Sequence, residues 1–409
     1  MEWETLASDL HQPPLLPMSN PIPEEENGDE NEREPVALDV ILPDDILEKI
    51  FSFLPIVSLI RAGTVCRRWR EAVRSGRCSP TGAPTQRPWY FMFTCTASLD
   101  GYAYDPCRRK WCTFGFPCAA DEPNCFVSSS RGLICFMDYD TRSRVFVCNP
   151  VTGTWKQLPK PADDAVGVGG AACADYAALA LAVDRRSRGY TVAVVRSRQV
   201  PDDFLRWDLS VQLYDSGSGA WAASVWEVLT GWRGGDESVI CDGVLYCLLY
   251  SFQGNECRHG LIAYDLSSSR CFNKTSPMRA PVIPAPCPLT CCRLMNLRDR
   301  LVMVGGIGKY DRPGVIRGVG IWELDGREWR DVARMPHRFF QGFGELDEVF
   351  ASSGNEDLVY IQSFGAPALL TFDMGQKQWR WSAKCPVTKK FPLQLFTGFC
   401  FQPSLEVTP

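Results

Sequence analysis

The hydrophobic pattern of the chain has two parts, which meet near residue 87. Between residues 42 and 73, apolar residues recur every three to four positions, the period of a helix lying on a core. The first helix begins at Pro43, because proline in the first turn loses no hydrogen bond, and it ends at Pro55. A short apolar run at 56–60 leads to a second helix. The apolar positions are Ile46, Ile50, Phe53 and Leu54 in the first helix and Val65, Trp69 and Val73 in the second.

From residue 87 onward the pattern becomes that of short β-strands, and one unit recurs. The unit is a strand, an Asp or Asn, a short turn, and a tryptophan or other bulky residue that opens the next strand. The copies are YDPCRRKW (104–111), CNPVTGTW (148–155), YDSGSGAW (214–221), YDLSSSRCF (264–272), ELDGREW (323–329) and FDMGQKQW (372–379). An apolar strand precedes each copy, and a further strand precedes most of those. Six copies about fifty residues apart predict a six-bladed β-propeller.

The two ends of the β region predict how the ring closes. The first blade lacks an inner strand of its own, because Trp89 already begins its second strand. The segment FTGFCF (396–401) is a strand without a blade. We expect this segment to supply the inner strand of the first blade, since closure leaves no sheet edge exposed. A loose strand on a β-sandwich would leave the six repeats unexplained.

About thirty residues of helix cannot bury their apolar surface alone, so it packs on the rest of the chain or on a partner. Periodicity leaves both possibilities open. The order Leu-Pro, apolar face, Leu-Pro and Val-Cys-x-x-Trp-Arg resembles the F-box family along the whole module. That resemblance implies docking on the Skp-type adaptor of a cullin–RING ubiquitin ligase. By position, the residues that would face the adaptor or support that face are Leu42, Pro43, Ile46, Ile50, Leu54, Leu59, Val65, Cys66 and Trp69.

The β repeat resembles the kelch repeat, and its combination with an F-box is common in plants. Gly305-Gly306 is the double glycine of a kelch strand, whereas Cys271-Phe272 stand where tryptophan is usual. The chain is similar to plant F-box/kelch proteins over its full length. The stretches that carry this similarity are 86–91, GWRGGDESVIC (231–241), RLVMVGGIGK (300–309), RFFQGFGE (338–345) and CPVTKKFPLQLFTGFCF (385–401).

Composition separates an acidic N-terminal segment from the rest. The chain is 45% apolar and 22% charged, as in ordinary globular proteins. Residues 1–40 hold 11 acidic residues and one arginine, and the remainder holds 37 acidic and 42 basic residues. We expect a disordered acidic tail (1–37), an F-box (38–75), a linker (76–86) and the propeller (87–409). The sequence has no long uncharged apolar run and no signal-peptide pattern, so neither a membrane span nor secretion is expected.

The cysteines and histidines do not predict a metal or catalytic centre. Without a secretory signal, the 19 cysteines are expected to be reduced and to act as small core residues. The alternative is that some cysteines bind zinc. However, the sequence has no Cys-x-x-Cys pair, and Cys287, Cys291 and Cys292 form the one tight cluster. A kelch-type copper oxidase needs several nitrogen ligands, and the propeller has only His259 and His337. No nucleophile-elbow or phosphate-loop motif occurs, so we expect a non-catalytic protein without cofactors.

One face of the predicted propeller is the candidate surface for a protein substrate. It carries the connections between the second and third strands of each blade and those between blades, and we assign the longer connections to it. Arginine with aromatic residues is typical of a recognition surface, and an acidic segment would suit it. The alternative is that these arginines are solvated and that Phe339-Phe340 is core. The predicted substrate-binding residues are Trp232, Arg233, Arg258, His259, Lys309, Tyr310, Arg312 and Arg338; the same connections hold Arg196, Arg198 and His337.

These predictions favour a substrate receptor of a Skp–cullin–F-box ubiquitin ligase, which acts in the nucleus and cytoplasm. The helices would bind the adaptor and, through it, the cullin and RING protein, while the propeller captures a protein for ubiquitination and degradation. The alternative is a propeller that binds protein, glycan or RNA without ligase activity. The small basic excess argues against nucleic acid as the main ligand. Co-purification with the adaptor separates the two hypotheses.

Overall fold

The computed structural model describes residues 42–75, 86–93, 100–116, 125–139, 142–161, 175–251, 259–266, 281–309, 312, 315–343, 350–363, 368–386 and 398–409. The chain forms two units, Met1–Pro43 and Asp44–Pro409. In the first unit, the described residues are Leu42, which is half-buried, and Pro43, which is exposed. The predicted tail (1–37) and residues 76–85 of the predicted linker lie outside the described residues.

Three short helices form the N-terminal module of the second unit: α1 (Asp44–Ser52), α2 (Ile56–Ala62) and α3 (Arg67–Arg74). The run at 56–60, which the sequence indicated only as a connection, forms α2 after the extended residue Pro55. Cys66 caps the N-terminus of α3, and its Sγ accepts a hydrogen bond from the backbone N–H of Trp69 at 3.5 Å. No helix among the described residues is long and apolar enough to cross a lipid bilayer.

The strands confirm the prediction of a six-bladed propeller, because they form six four-stranded antiparallel sheets. The first three sheets contain β1 (Trp89–Phe93), β2 (Asp100–Asp105), β3 (Lys110–Gly115), β4 (Cys125–Ser130), β5 (Leu133–Asp138), β6 (Val145–Asn149), β7 (Thr154–Gln157), β8 (Asp175–Val183), β9 (Tyr190–Val200), β10 (Asp203–Asp215) and β11 (Ala220–Thr230).

The other three sheets follow the same order from the inner to the outer strand. They contain β12 (Trp232–Cys241), β13 (Val244–Ser251), β14 (His259–Asp265), β15 (Ile283–Pro284), β16 (Leu289–Asn296), β17 (Leu301–Gly308), β18 (Ile316–Asp325), β19 (Glu328–Arg334), β20 (Phe350–Asn355), β21 (Leu358–Ser363), β22 (Leu370–Asp373) and β23 (Gln378–Trp381). A short helix, α4 (His337–Phe343), joins the fifth blade to the sixth. The predicted opening of the fourth outer strand at Cys271-Phe272 lies outside the described residues.

The inner strand of the first blade is β24 (Gly398–Phe401), which pairs antiparallel with β1. The register places Trp89 opposite Phe401 and Phe91 opposite Phe399. Side chains of both adjacent blades bond the backbone of Cys400: the Ser353 hydroxyl accepts its N–H at 2.9 Å, and the Ser129 hydroxyl donates to its carbonyl. The last strand is therefore held on three sides, and the inner strands contact one another in a closed cycle.

The repeated turn and tryptophan have the roles that their chemistry predicts. Side-chain oxygens of the turn residues accept backbone N–H groups two or three residues later, at Asp105, Asn149, Asp215 and Asp373. Three of the tryptophans that open outer strands reach back to the preceding blade. The indole N–H groups of Trp111, Trp221 and Trp329 donate to the carbonyls of Ala383, Pro159 and Pro284 at 2.7–2.9 Å. The repeat thus joins neighbouring blades as well as closing each turn.

Candidate functional site

The helical module has an apolar side that nothing in the described chain covers. Leu47 and Phe51 of α1 point inward and are buried, whereas Ile46 and Ile50 are 44% and 43% exposed. Phe53, just after α1, is 68% exposed. Val65, between α2 and α3, is 64% exposed. Exposed apolar residues are ordinary when scattered, but their concentration on so short a module marks an interaction surface. We call Ile46, Ile50, Phe53 and Val65 the outward face.

The inward side of the module explains how the outward face is held. Phe51 packs edge-on against Trp69, with 5.2 Å between ring centroids. Asp44 in the first turn of α1 pairs with the Arg68 guanidinium of α3 at 2.7 Å. Leu59 is fully buried, so its side chain supports the surface without contacting a partner. Leu54 and Trp69 are half-buried and pack against this core, and Cys66 is also half-buried.

The same core joins the helices to the propeller. Val73 of α3 and Trp89 of β1 belong to one continuous apolar cluster. The Arg74 guanidinium donates from Nε to the Thr152 carbonyl at 3.1 Å, in the turn between β6 and β7. That turn lies on the propeller face opposite the predicted substrate surface, because connections between third and fourth strands alternate with those between second and third. The outward face and the propeller therefore belong to one compact unit.

On the predicted substrate face, which we call the upper face, Arg233 lies between two aromatic rings. Its guanidinium carbon is 3.9 Å from the Tyr176 ring centroid and 4.6 Å from that of Tyr250. Such stacking is favourable and fixes the side chain. His259 is buried and packs against Tyr250 at 4.9 Å, so it cannot serve as a surface contact. Trp232 is half-buried beside Gly260.

The prediction that these residues lie on long loops was wrong for the third and fourth blades. Arg196 and Arg198 belong to β9, Trp232 and Arg233 to β12, and His259 to β14. The physical reason is that β9, β10 and β11 of the third blade and β12 of the fourth are long, so positions beyond an average strand still pair. Arg196 is 6% exposed and donates from Nη2 to the Arg142 carbonyl at 3.0 Å.

The remaining predicted residues divide between exposed positions and the core. Lys309 and Arg312 are exposed on the connection between β17 and β18, which the backbone bond from the Lys309 N–H to the Val315 carbonyl closes at 2.9 Å. Arg338 of α4 is exposed and stacks on Phe339 at 5.0 Å. Phe340 is buried in the core, as expected from the alternative hypothesis that these phenylalanines are core residues. Arg258 and Tyr310 lie outside the described residues.

The sequence analysis did not predict two exposed apolar residues at the start of β10, just after the turn from β9. Phe204 is 81% exposed and Leu205 is 48% exposed. They lie in a break of the register between Asp203 and Trp207, where the β9–β10 pairing skips residues. Gly231 N–H donates to the Leu205 carbonyl at 2.8 Å, which fixes this turn against the end of β11. In the sequence, this turn is indicated by a long alternating pattern that Pro-Asp-Asp interrupts at 201–203.

The inner strands surround a central cavity of about 370 Å³ with charged residues on its wall. Arg293 Nη1 lies 2.7 Å from a Glu237 oxygen and 3.3 Å from an Asp236 oxygen. Burial raises the pKa of Glu237 to about 7, although Arg293 acts in the opposite direction. Among the described residues, no three Cys, His, Asp or Glu side chains are grouped as metal ligands. Burial also raises the pKa of the Cys292 thiol.

The Glu237 carboxyl gives a pH-dependent contribution to stability. The carboxyl has a pKa near 7 in the folded chain and the ordinary value of 4.5 in the unfolded chain. At pH values between these two, it therefore binds a proton when the chain folds. Its contribution to the free energy of unfolding therefore grows as the pH falls through that window. We expect the stability difference between the natural chain and Glu237→Gln to change in favour of the natural chain from about pH 8 to about pH 5, measured by urea unfolding. A constant difference would contradict this.

Comparison with known proteins agrees with both parts of the architecture. The family model described as F-box-like matches residues 40–77. The model described as F-box protein At3g26010-like, beta-propeller, matches residues 112–290, and the Kelch motif matches residues 288–336. The fold and the outward face thus define an F-box protein with a kelch-type propeller.

Relatives from Arabidopsis thaliana match the chain over most of their length. F-box/kelch-repeat protein At3g61590 is 57% identical over 395 residues, covering 94% of each chain. F-box/kelch-repeat protein At5g43190 is 25% identical, covering 90% of this chain and 87% of its own. Protein UNUSUAL FLORAL ORGANS is 23% identical, covering 84% and 78%. The first of these similarities shows that the chain belongs to the F-box/kelch-repeat family.

Proposed function

We propose that the chain is the substrate-recognition subunit of a Skp–cullin–F-box ubiquitin ligase. The observation that carries this proposal is the outward face: four large apolar side chains exposed on a module whose other side is well packed. A rigid helical surface of this kind suits an apolar groove on a partner helix bundle. By resemblance to the F-box family, that partner is a Skp-type adaptor, with Leu42 and Pro43 extending the surface in sequence.

In this role the chain does no covalent chemistry. F-box/kelch proteins are generally non-catalytic adaptors, and the contribution of this one is proximity: it holds a protein substrate near a ubiquitin-charged enzyme. The cullin and the RING protein bind through the adaptor. The assembly acts in the nucleus and cytoplasm. The upper face, with Arg233, Lys309, Arg312 and Arg338, binds the substrate. Similarity in stretches such as 231–241 and 385–401 supports a function like that of the plant Hawaiian Skirt F-box/kelch protein.

The test is capture of a Skp-type adaptor and its cullin by the full chain. The double substitution Ile46→Asp, Ile50→Asp should reduce adaptor affinity on the order of a hundredfold or more, because both carboxylates would be buried against the partner. The matched control is Phe204→Asp, Leu205→Asp, which places the same charges on exposed apolar positions of the propeller. Capture that survives in the first variant, or that the intact chain never shows, would overturn the proposal.

A further inference from the structure

The outermost strand of the third blade differs from those of the other five. β11 has 11 residues, whereas the other outermost strands have two to seven. It pairs with β10 on one side, and no strand among the described residues pairs with its other side. A long unpaired edge presents a row of backbone N–H and C=O groups to any extended chain.

β11 has few of the features that protect such edges. Its sequence, AWAASVWEVLT, contains no lysine, arginine or proline, and its one charged side chain, Glu227, accepts the Tyr264 hydroxyl at 2.7 Å. Its one register shift lies between Ala222 and Val225, so Val225 to Thr230 pair with β10 without interruption. Charged side chains and proline are the usual means by which edge strands avoid further pairing. Each of the other outermost strands has at least one of these residues: Lys110, Lys156, Pro284, Arg330 and Arg380. The third blade is therefore the one whose described edge is open to another strand.

Two exposed apolar side chains lie along this edge at alternate positions. Trp226 is 45% exposed and Val228 is 42% exposed, whereas Leu229, which points to the opposite side of the sheet, is buried. Because successive side chains of a strand alternate, Trp226 and Val228 lie on the same side of the sheet. An added strand would place its own alternate side chains beside them, as in the binding of extended peptides to sheet edges.

We propose that the free edge of β11 binds an extended segment of the protein substrate as a fifth strand of the third blade. This inference rests on the proposed function and specifies how the substrate is held. It adds a backbone contact to the side-chain surface of the upper face. The two are continuous, because the Leu205 carbonyl bonds Gly231, directly after β11, at 2.8 Å.

The size of the edge favours a peptide segment over a second copy of the chain. At about 3.3 Å per residue and about 10 Å of thickness, the six residues from Val225 to Thr230, which pair without interruption, offer on the order of 200 Å² per partner. Edge pairing of two copies would then bury roughly 400 Å² in total, below the roughly 1,200 Å² of stable protein interfaces. A segment of a larger substrate needs only part of its affinity from this contact.

Charge near the end of β11 indicates the composition of that segment. The register places Arg206 opposite Thr230, and Asp208 lies opposite both Val228 and Arg198. These side chains share the face of Trp226 and Val228. Arg198 also pairs with Asp175 at 3.9 Å, so the exposed Arg206 beside Thr230 is the charge that favours an acidic partner residue. We therefore expect apolar residues at alternate positions of the segment, with an acidic residue towards Thr230.

The test uses a phage-displayed library of random 12-residue peptides, selected on the full chain. Selected peptides are synthesised, and their affinities are measured by fluorescence polarisation. Trp226→Lys should weaken binding at least tenfold, because lysine blocks edge pairing. The matched control is Trp155→Lys, since Trp155 is also 45% exposed on an outermost strand but lies on the short β7. Val228→Lys provides a second variant at an exposed position.

Backbone pairing can be detected by methylating the backbone amides of the peptide. N-methylation of alternate amides of a selected peptide should abolish binding in one register and spare it in the other, because only every second amide faces β11. Equal loss in Trp226→Lys and Trp155→Lys, no loss in either, or no register effect would overturn the proposal. Self-association abolished by Trp226→Lys in sedimentation velocity would instead identify a second copy. Adaptor capture, measured separately, reports on the proposed function independently of this edge.

Discussion

Replacing Phe401 by alanine is expected to lower the free energy of unfolding by about 3–5 kcal/mol. Phe401 is fully buried in β24, the strand that completes the first blade. Its ring lies 6.0 Å from that of Trp89 and 5.7 Å from that of Phe114. Removing it leaves a cavity among aromatic side chains that β24 itself holds in place, so the surroundings cannot easily collapse.

Denaturant unfolding of the full chain measures this loss. Phe204→Ala is the matched control, because the same atoms are removed from a side chain that is 81% exposed. The control should remain within about 0.5 kcal/mol of the natural chain. A similar result for both variants would mean that β24 is not part of the cooperative core.

Asn149→Asp is expected to destabilise the chain by about 2–4 kcal/mol. Asn149 is fully buried, and its side-chain oxygen accepts the N–H of Val151 at 2.9 Å, as turn aspartates do in other blades. Its amide nitrogen does more: it donates to the carbonyls of Ser404 and Val407 at 2.9 and 2.7 Å. A carboxylate would leave both carbonyls unpaired and place negative charge against them. This explains why the second blade has asparagine where the others have aspartate.

The reverse exchange, Asp215→Asn, is the matched control for that substitution. Asp215 occupies the same repeat position, is exposed, and accepts the Ser218 N–H at 3.0 Å, which an amide oxygen can also do. Its effect should stay within about 1 kcal/mol. The loss in Asn149→Asp should also diminish in acid, because a protonated carboxyl donates one of the two bonds. Equal effects of the two substitutions would contradict the role of the Asn149 amide.

Periodicity and repeats predicted the propeller because each blade is a local unit. The turn residue bonds its own backbone and the tryptophan opens the adjacent strand, so each copy is recognisable from a few residues. The outward placement of Ile46 and Ile50 agrees with the family pattern. Sequence alone did not separate them from the buried Leu47 and Phe51, because a short helix with apolar residues on two sides does not show which side the chain covers.

The substrate face was harder to predict because it depends on where strands end. Strand length in the third blade is set by pairing among β9, β10 and β11, so Arg196 and Arg198 extend a sheet where an average blade would have a loop. The stacking of Arg233 between Tyr176 and Tyr250 joins residues about 75 positions apart in sequence, a contact that no local pattern contains.

The pairing of β24 with β1 means that the first blade cannot be completed until the end of translation. All five residues of β1 are buried in the finished ring, yet their partner strand is synthesised about 300 residues later. At about 5–20 residues per second, Trp89 to Phe93 wait on the order of 15–60 s for that partner. During translation the nascent chain therefore exposes the apolar edge of β1 until β24 has been synthesised.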